Sequence, residues 1–263
     1  MTRSDLASLL ATTSPLAAPP ASAPKALGRL GELMAWLAAA QGDRTGAAPR
    51  RPRLVLAGAQ RPDAGIGVRA LAAGTVAQGV DAADHEVESG TDLVLLSGAG
   101  DAVSCALAVC ALTGVEPVAV LPRGAAAIDS AAWVARAEQL LDRRPALIAL
   151  RDDPDALLEA IGDGILAAAT GLLASLTARR TPVVLDGDLA LTAALVVARL
   201  HADAAGWWQV ADTSASPLAR AVLPVLDRRP LLDLGIATDD GTAALVVLAA
   251  ITAVSTRTGK APS

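Results

Sequence analysis

The chain contains no phenylalanine and no tyrosine, and aromatic residues make up only 2% of it against 53% hydrophobic residues overall. A core without phenyl rings must be assembled from Ala, Val, Leu and Ile, and small side chains require closely packed helices. Cysteine is scarce as well. Cys105 and Cys110 lie five apart in a helical pattern, on different faces and too far apart to bridge. They are expected to be buried free thiols, which suits a reducing, cytoplasmic setting. Long apolar runs are missing: the longest, near 164–176 and 243–254, fall short of the roughly 20 residues that cross a bilayer and are expected to be core helices. There is no basic stripe. The 22 Lys+Arg against 27 Asp+Glu leave a formal charge of -5, which argues against nucleic acid, whose binding depends on neutralising phosphates. His85 and His201 are isolated, no cluster has metal-ligand spacing, and no Ser/His/Asp or Cys/His arrangement suggests a nucleophile. Neither a metal nor a cofactor is expected.

What is present alternates. Residues 1–24 read as a lead-in: Leu6–Leu10 is a short apolar run behind Arg3 and Asp5, followed by a Pro/Ala/Ser-rich stretch. A frayed helix and a flexible segment fit it better than a signal peptide, whose apolar region would be longer and free of a preceding acid. Residues 25–258 are expected to form one domain and 259–263 a tail. Leu27, Leu30, Leu33, Met34 and Leu37 recur at three- and four-residue steps and predict an amphipathic helix over 26–41. Short continuous apolar runs at 54–58, 93–97, 118–121, 183–186 and 207–211 have the character of strands buried on both faces. Helical patterns at 102–112, 130–141, 154–178, 190–200 and 217–226 fall between them, while 146–150 could be strand or loop. Alternation of this kind requires crossovers. The expected fold is a three-layer α/β domain: a mostly parallel sheet with Rossmann-like crossovers and a helical cap from the N- and C-terminal segments.

Ligands of an open parallel sheet bind beyond the carboxyl ends of its strands, so the residues after each strand carry the chemical information. Here they are 58–60, Gly98 to Asp101, Arg123 with Gly124, and Asp186 to Asp188. Two glycines between a strand and a helix can offer amides to a phosphate at the positive helix end. The alternative is a plain tight turn with Asp101 as helix cap. A dinucleotide fingerprint fails here, because its third glycine position is Val103 and no strand-terminal acid follows at the expected distance. The adjacent Trp207 and Trp208 could face a partner or fill the sheet edge or core.

The strings TPVVLDGDLALTAALVVARL (Thr181 to Leu200) and RRPLLDLGIATDDGTAALVVL (Arg228 to Leu248) resemble the nicotinate-nucleotide:dimethylbenzimidazole phosphoribosyltransferase family of cobalamin nucleotide-loop assembly. Asp186-Gly187 and Leu231 to Gly235 match the family's motifs directly, and Asp240-Gly241-Thr242 falls at its Glu-Gly-Thr. Upstream, Lys25 with Leu27 to Leu33, Gln41-Gly42, and Gly98-Ala99-Gly100 spaced from Leu112-Thr113-Gly114 continue the match in order over most of the chain. The resemblance implies a carboxylate that takes a proton from one benzimidazole nitrogen. The other nitrogen then attacks the ribose C1 of nicotinate mononucleotide and expels nicotinate. It assigns Asp240 as base and Gly98, Gly100, Asp186, Gly187, Gly241 and Thr242 to substrate, and the strand-end positions Asp101, Arg123 and Gly124 are expected beside them. The implied partners are a nucleotide and an aromatic base, with no nucleic acid or membrane, in a homodimer or a heteromer with an active homologue.

Several polar positions depart from the family's pattern. Ala59-Gln60-Arg61 stands at its Asp-His-Gly, Asp101-Ala102-Val103 at its phosphate-site Asn-Thr-Thr, and Gly162 to Ile165 at its Gly-Gly-x-Glu. Asp212 to Ala219 keeps only Ser and Pro of an eight-residue motif, and the segment between the first strand and Leu93 is short. Three readings fit these departures. The chain is an active transferase with an altered site, or a catalytically silent homologue that binds a ligand or partners an active subunit. The third is an unrelated doubly wound small-molecule binder.

Overall fold

A computed structural model describes residues 5–19, 25–42, 47–58, 65–121, 130–213 and 215–257. Five strands, β1 (Pro52–Ala57), β2 (Gly67–Leu71), β3 (Leu93–Gly98), β4 (Val183–Leu185) and β5 (Trp208–Val210), form one sheet in the order β2-β1-β3-β4-β5. Every pairing is parallel. Strand residues alternate between two cores, as the period of two demands. Val55, Ala57, Val94 and Leu96 point to one side, and Leu54, Leu56, Leu93 and Leu95 to the other.

Helices cover both faces. The larger core takes in α1 (Leu6–Leu10), α3 (Val76–Glu88), α4 (Ala102–Thr113), α5 (Pro117–Val120), α6 (Ser130–Ile148), α7 (Pro154–Ile161), α8 (Gly164–Ala178), α9 (Gly187–Leu200) and α10 (Pro217–Leu226). The opposite face is covered by α2 (Arg29–Ala40) and α11 (Thr242–Arg257), the expected cap from the two ends of the chain. Within the stretch read as lead-in, Leu6 and Leu10 of α1 are buried in the larger core. None of the helices is long and apolar enough to cross a membrane among the described residues.

The run at 118–121, expected as a strand, is instead the short helix α5. Pro117 fixes a helical φ at its first position and lacks the N–H a central strand would need. The undecided run at 146–150 is largely the end of α6. The expected helix over 154–178 is two helices. Gly162 ends α7 at φ 77, and the Asp163 carboxylate caps α8 through the amides of Ile165 and Leu166. Strand β2 and helix α3 were not among the expected elements. The start of α3 is a reciprocal capping box, with Gln78 N donating to Thr75 Oγ1 at 3.3 Å and Thr75 N to Gln78 Oε1 at 2.8 Å.

Close packing replaces bulk. A Cβ on Gly79 of α3 would lie 2.0 Å from the Ala168 carbonyl oxygen of α8, and one on Gly171 would lie 2.0 Å from the Val76 oxygen. The two backbones touch through these glycines. Glu86, 1% exposed, receives Arg53 Nε at 2.9 Å, Thr91 Oγ1 at 2.9 Å and Arg69 Nε, and so ties β1 and β2 to α3. Trp207 and Trp208 are both buried, and the Trp208 indole donates to Thr177 Oγ1 at 2.9 Å. The pair fills the sheet edge. Cys105 and Cys110 are free and buried, and burial raises both thiols.

Candidate active site

At the carboxyl ends of β4 and β5, three segments of chain meet over the sheet. Strand β4 leads into Asp186, whose N–H donates to the Leu96 carbonyl at 2.9 Å and holds it beside β3. Its side chain is 5% exposed and accepts the Ala244 amide, from the first turn of α11, at 3.2 Å. Burial pushes this carboxyl up to about 6. The Ala244 amide opposes the rise, and repulsion from Asp239, Asp240 and Asp212 adds to it.

Strand β5 is followed by Asp212, which pairs as an isolated bridge with Leu232. The Asp212 carboxylate accepts the amides of Leu234 at 2.8 Å and Ile236 at 2.6 Å. One acid thereby lays the segment after Leu231 across the strand ends and delivers Ile236 and Asp239 to the site. The third segment is the start of α10. Ser216 caps it through the Leu218 amide at 3.1 Å, and its hydroxyl also donates to Asp188 Oδ2 at 2.6 Å. The other Asp188 oxygen is buried with no hydrogen bond among the described residues. Burial raises this carboxyl; Ser216 opposes that and Asp239 adds repulsion.

Between these segments lies a cavity of about 580 Å³ lined by Gly187, Asp188, Ser216, Arg220, Ile236 and Asp239 among others, with Val118 and Leu121 on its apolar side. Arg220 is the one cation among the described lining residues. The cavity thus offers an apolar wall for a flat base, one guanidinium for an anion and two carboxylates for a proton or a positive charge. A wider hollow of about 800 Å³ opens at the starts of α3, α7 and α8, where the Gly162-Asp163-Gly164 motif lies. Among the described residues no three His, Cys, Asp or Glu side chains are grouped to hold a metal ion.

The residues singled out in the sequence divide. Asp186 and Gly187 are at the site. Gly187 has φ +85, and a Cβ on it would sit 3.0 Å from Asp239 Oδ1, so the carboxylate lies against bare backbone there. Asp240 and Gly241 lead into Thr242, the first residue of α11, and none of the three lines the cavity. Asp240 Oδ1 accepts Thr242 Oγ1 at 2.6 Å and Thr242 N at 3.0 Å, and these bonds lower its carboxyl. Gly98 packs on the β1 backbone, where a Cβ would fall 2.1 Å from the Ala57 oxygen. At Gly100 a Cβ would meet Leu189 Cδ1 at 2.8 Å. Asp101 caps α4, accepting Ser104 N and Ser104 Oγ at 2.8 Å each. None of these three lines the 580 Å³ cavity. Arg123, Gly124 and the 59–61 segment lie outside the described residues. Asp188 belongs to the strand-end stretch 186–188 singled out in the sequence, whereas Asp239, Ser216 and Arg220 were not among the chosen candidates. The signal for these three was adjacency to Asp240, and a Ser-Pro helix start with an arginine one turn on.

A parallel sheet with a carboxylate-lined cavity beyond its strand ends defines an α/β protein with its candidate ligand site where open parallel sheets place theirs. The family model described as Phosphoribosyltransferase matches residues 67–258, and the chain belongs to that family. It is 38% identical over 182 residues to the nicotinate-nucleotide–dimethylbenzimidazole phosphoribosyltransferase of Mycobacterium leprae (strain Br4923), an overlap of 67% of this chain and 52% of that protein. To the enzyme of the same name from Streptomyces avermitilis it is 34% identical over 186 residues, 70% of this chain and 50% of that one. The chain spans about half the length of these curated relatives. The crystal structure of the enzyme of that name from Thermus thermophilus shares its fold, with a TM-score of 0.73 at 20% identity over 98% of each chain.

Proposed function

We propose that this chain transfers the phosphoribosyl group of a nicotinate nucleotide to a benzimidazole-type base. The observation that carries the reading is the carboxylate-lined cavity at the ends of β4 and β5, bounded by segments that hold the family's Asp-Gly and Leu-Leu-Asp-Leu-Gly motifs. In the reaction, a ring nitrogen of the base attacks the ribose C1, and the bond from C1 to the pyridinium nitrogen breaks. Nicotinate leaves with the bonding pair, and the proton on the base's second nitrogen passes to a carboxylate. Positive charge gathers at C1 as that bond breaks, and acids around the cavity stabilise it. Arg220 is suited to the nucleotide phosphate and the Val118 and Leu121 wall to the flat base. A cytoplasmic location, and assembly as a homodimer or with an active homologue, belong to the same reading.

Incubation of the purified chain with nicotinate mononucleotide and 5,6-dimethylbenzimidazole, followed by chromatography, is expected to show nicotinate release that depends on the base. Release at the level of a no-enzyme control, at high protein concentration, would refute transfer. Calorimetric binding of either ligand in that case would favour the silent homologue.

A further inference from the structure

Two adjacent acids stand where the family's motif has one glutamate, and the structure gives them different surroundings. Asp240 occupies the matching position, but its carboxylate is turned onto its own helix, holding the Thr242 amide and hydroxyl at 3.0 and 2.6 Å. Those bonds, both made to Oδ1, stabilise the charged form and so weaken it as a base. Asp239 is the acid of the pair that lines the 580 Å³ cavity. Among the described residues its carboxylate accepts no hydrogen bond, and it rests against the bare Gly187 backbone, 3.0 Å from where a Cβ would stand. It is exposed at the cavity, as a group that must meet an incoming substrate has to be.

We propose that Asp239, and not Asp240, is the general base that removes the proton from the acceptor base. Asp240 keeps the family's position as a helix cap, and its neighbour takes the chemistry. The inference rests on the transferase reading. Asp239 Oδ accepts the N–H proton of the benzimidazole as the opposite nitrogen bonds to C1, and the proton then passes to water. The charged groups facing Asp239 are Asp240 on its own segment, Asp186 and Asp188 at the start of α9, and Arg220 of α10 across the cavity. Partial desolvation by the cavity wall first, then the Asp240 charge, raises the Asp239 carboxyl, which strengthens it as a base.

The test compares Asp239→Asn and Asp240→Asn variants of this chain in the nicotinate-release assay across pH 4 to 8. Wild type should lose kcat/KM on the acid side as the base protonates. Asp239→Asn should lower kcat on the order of 10²-fold or more and abolish that acid limb, since general-base catalysis contributes about 10² to 10⁴. Asp240→Asn, whose asparagine still caps α11, should keep the acid limb. Circular dichroism melts of both variants separate lost chemistry from lost folding. An acid limb that survives in Asp239→Asn and vanishes in Asp240→Asn overturns the inference and leaves the transferase reading standing. A wild-type chain that releases no nicotinate overturns both.

Discussion

Replacing Asp186 by asparagine should stabilise the fold at neutral pH. Asp186 is 5% exposed and its carboxyl is raised from 3.8 to about 6, with burial the first cause and three neighbouring acids adding to it. A shift of about two units is worth roughly 3 kcal/mol of penalty for keeping the group charged in the folded state. The folded pKa lies above the unfolded one. The associated stability is therefore fully present below pH 3.8 and is lost as pH rises through 6. About half of the loss, on the order of 1.4 kcal/mol, falls between pH 5 and 8. An asparagine oxygen can still accept the Ala244 amide, so the variant removes the charge and keeps the bond. Urea unfolding at pH 5 and pH 8 checks this. Wild type should weaken with pH across that window, and Asp186→Asn should weaken less and be the more stable protein at pH 8. A variant less stable than wild type at pH 8, with an unchanged pH slope, would refute the claim that a buried charge sits there at a cost.

Two further substitutions address the scaffold. Gly98→Ala places a Cβ 2.1 Å from the Ala57 carbonyl oxygen and should cost about 3 kcal/mol, because β1 and β3 must separate. Gly100→Ala meets mobile ends, Leu189 Cδ1 and Cys105 Sγ, and should cost less; urea midpoints in the reverse order would contradict the packing account. Glu86→Gln should destabilise by about 2 kcal/mol at pH 7, since the buried amide cannot serve Arg53, Arg69 and Thr91 as the carboxylate does. Burial alone would raise the Glu86 carboxyl, but Arg69, Thr91 and Arg53 bring it below its ordinary 4.5. Its stability is thus present above 4.5 and lost as pH falls through the folded value, so the gap between variant and wild type should close in acid melts.

Much of the fold was legible because the central strands β1, β3 and β4 are buried on both faces and read as unbroken apolar runs. The edge strand β2 was not. Its half-exposed GVRAL carries an arginine in the middle, and its pairing comes from β1 and not from its own pattern. Helix α3 is hydrophilic enough to hide its periodicity, although its Thr-x-x-Gln cap was there to read. The apolar run of α5 misled because periodicity cannot separate a short buried helix from a buried strand, and only Pro117 argued for the helix. At the site, motif position pointed to Asp186 and Gly187 and to the segment that carries Asp239. It could not tell which of two neighbouring aspartates faces the cavity. That depends on a hydroxyl two residues along, Thr242, which draws Asp240 onto its own helix.

The meeting of α3 and α8 through Gly79 and Gly171 sets how the protein can vary. Where two backbones are already in touch, the smallest side chain is the only one that fits, and a single added methyl acts as a wedge. Trimming a leucine elsewhere leaves a hole that neighbours can partly fill. The usual order of mutational tolerance is reversed along this seam, so that growth, and not loss, is the change the chain can least accept.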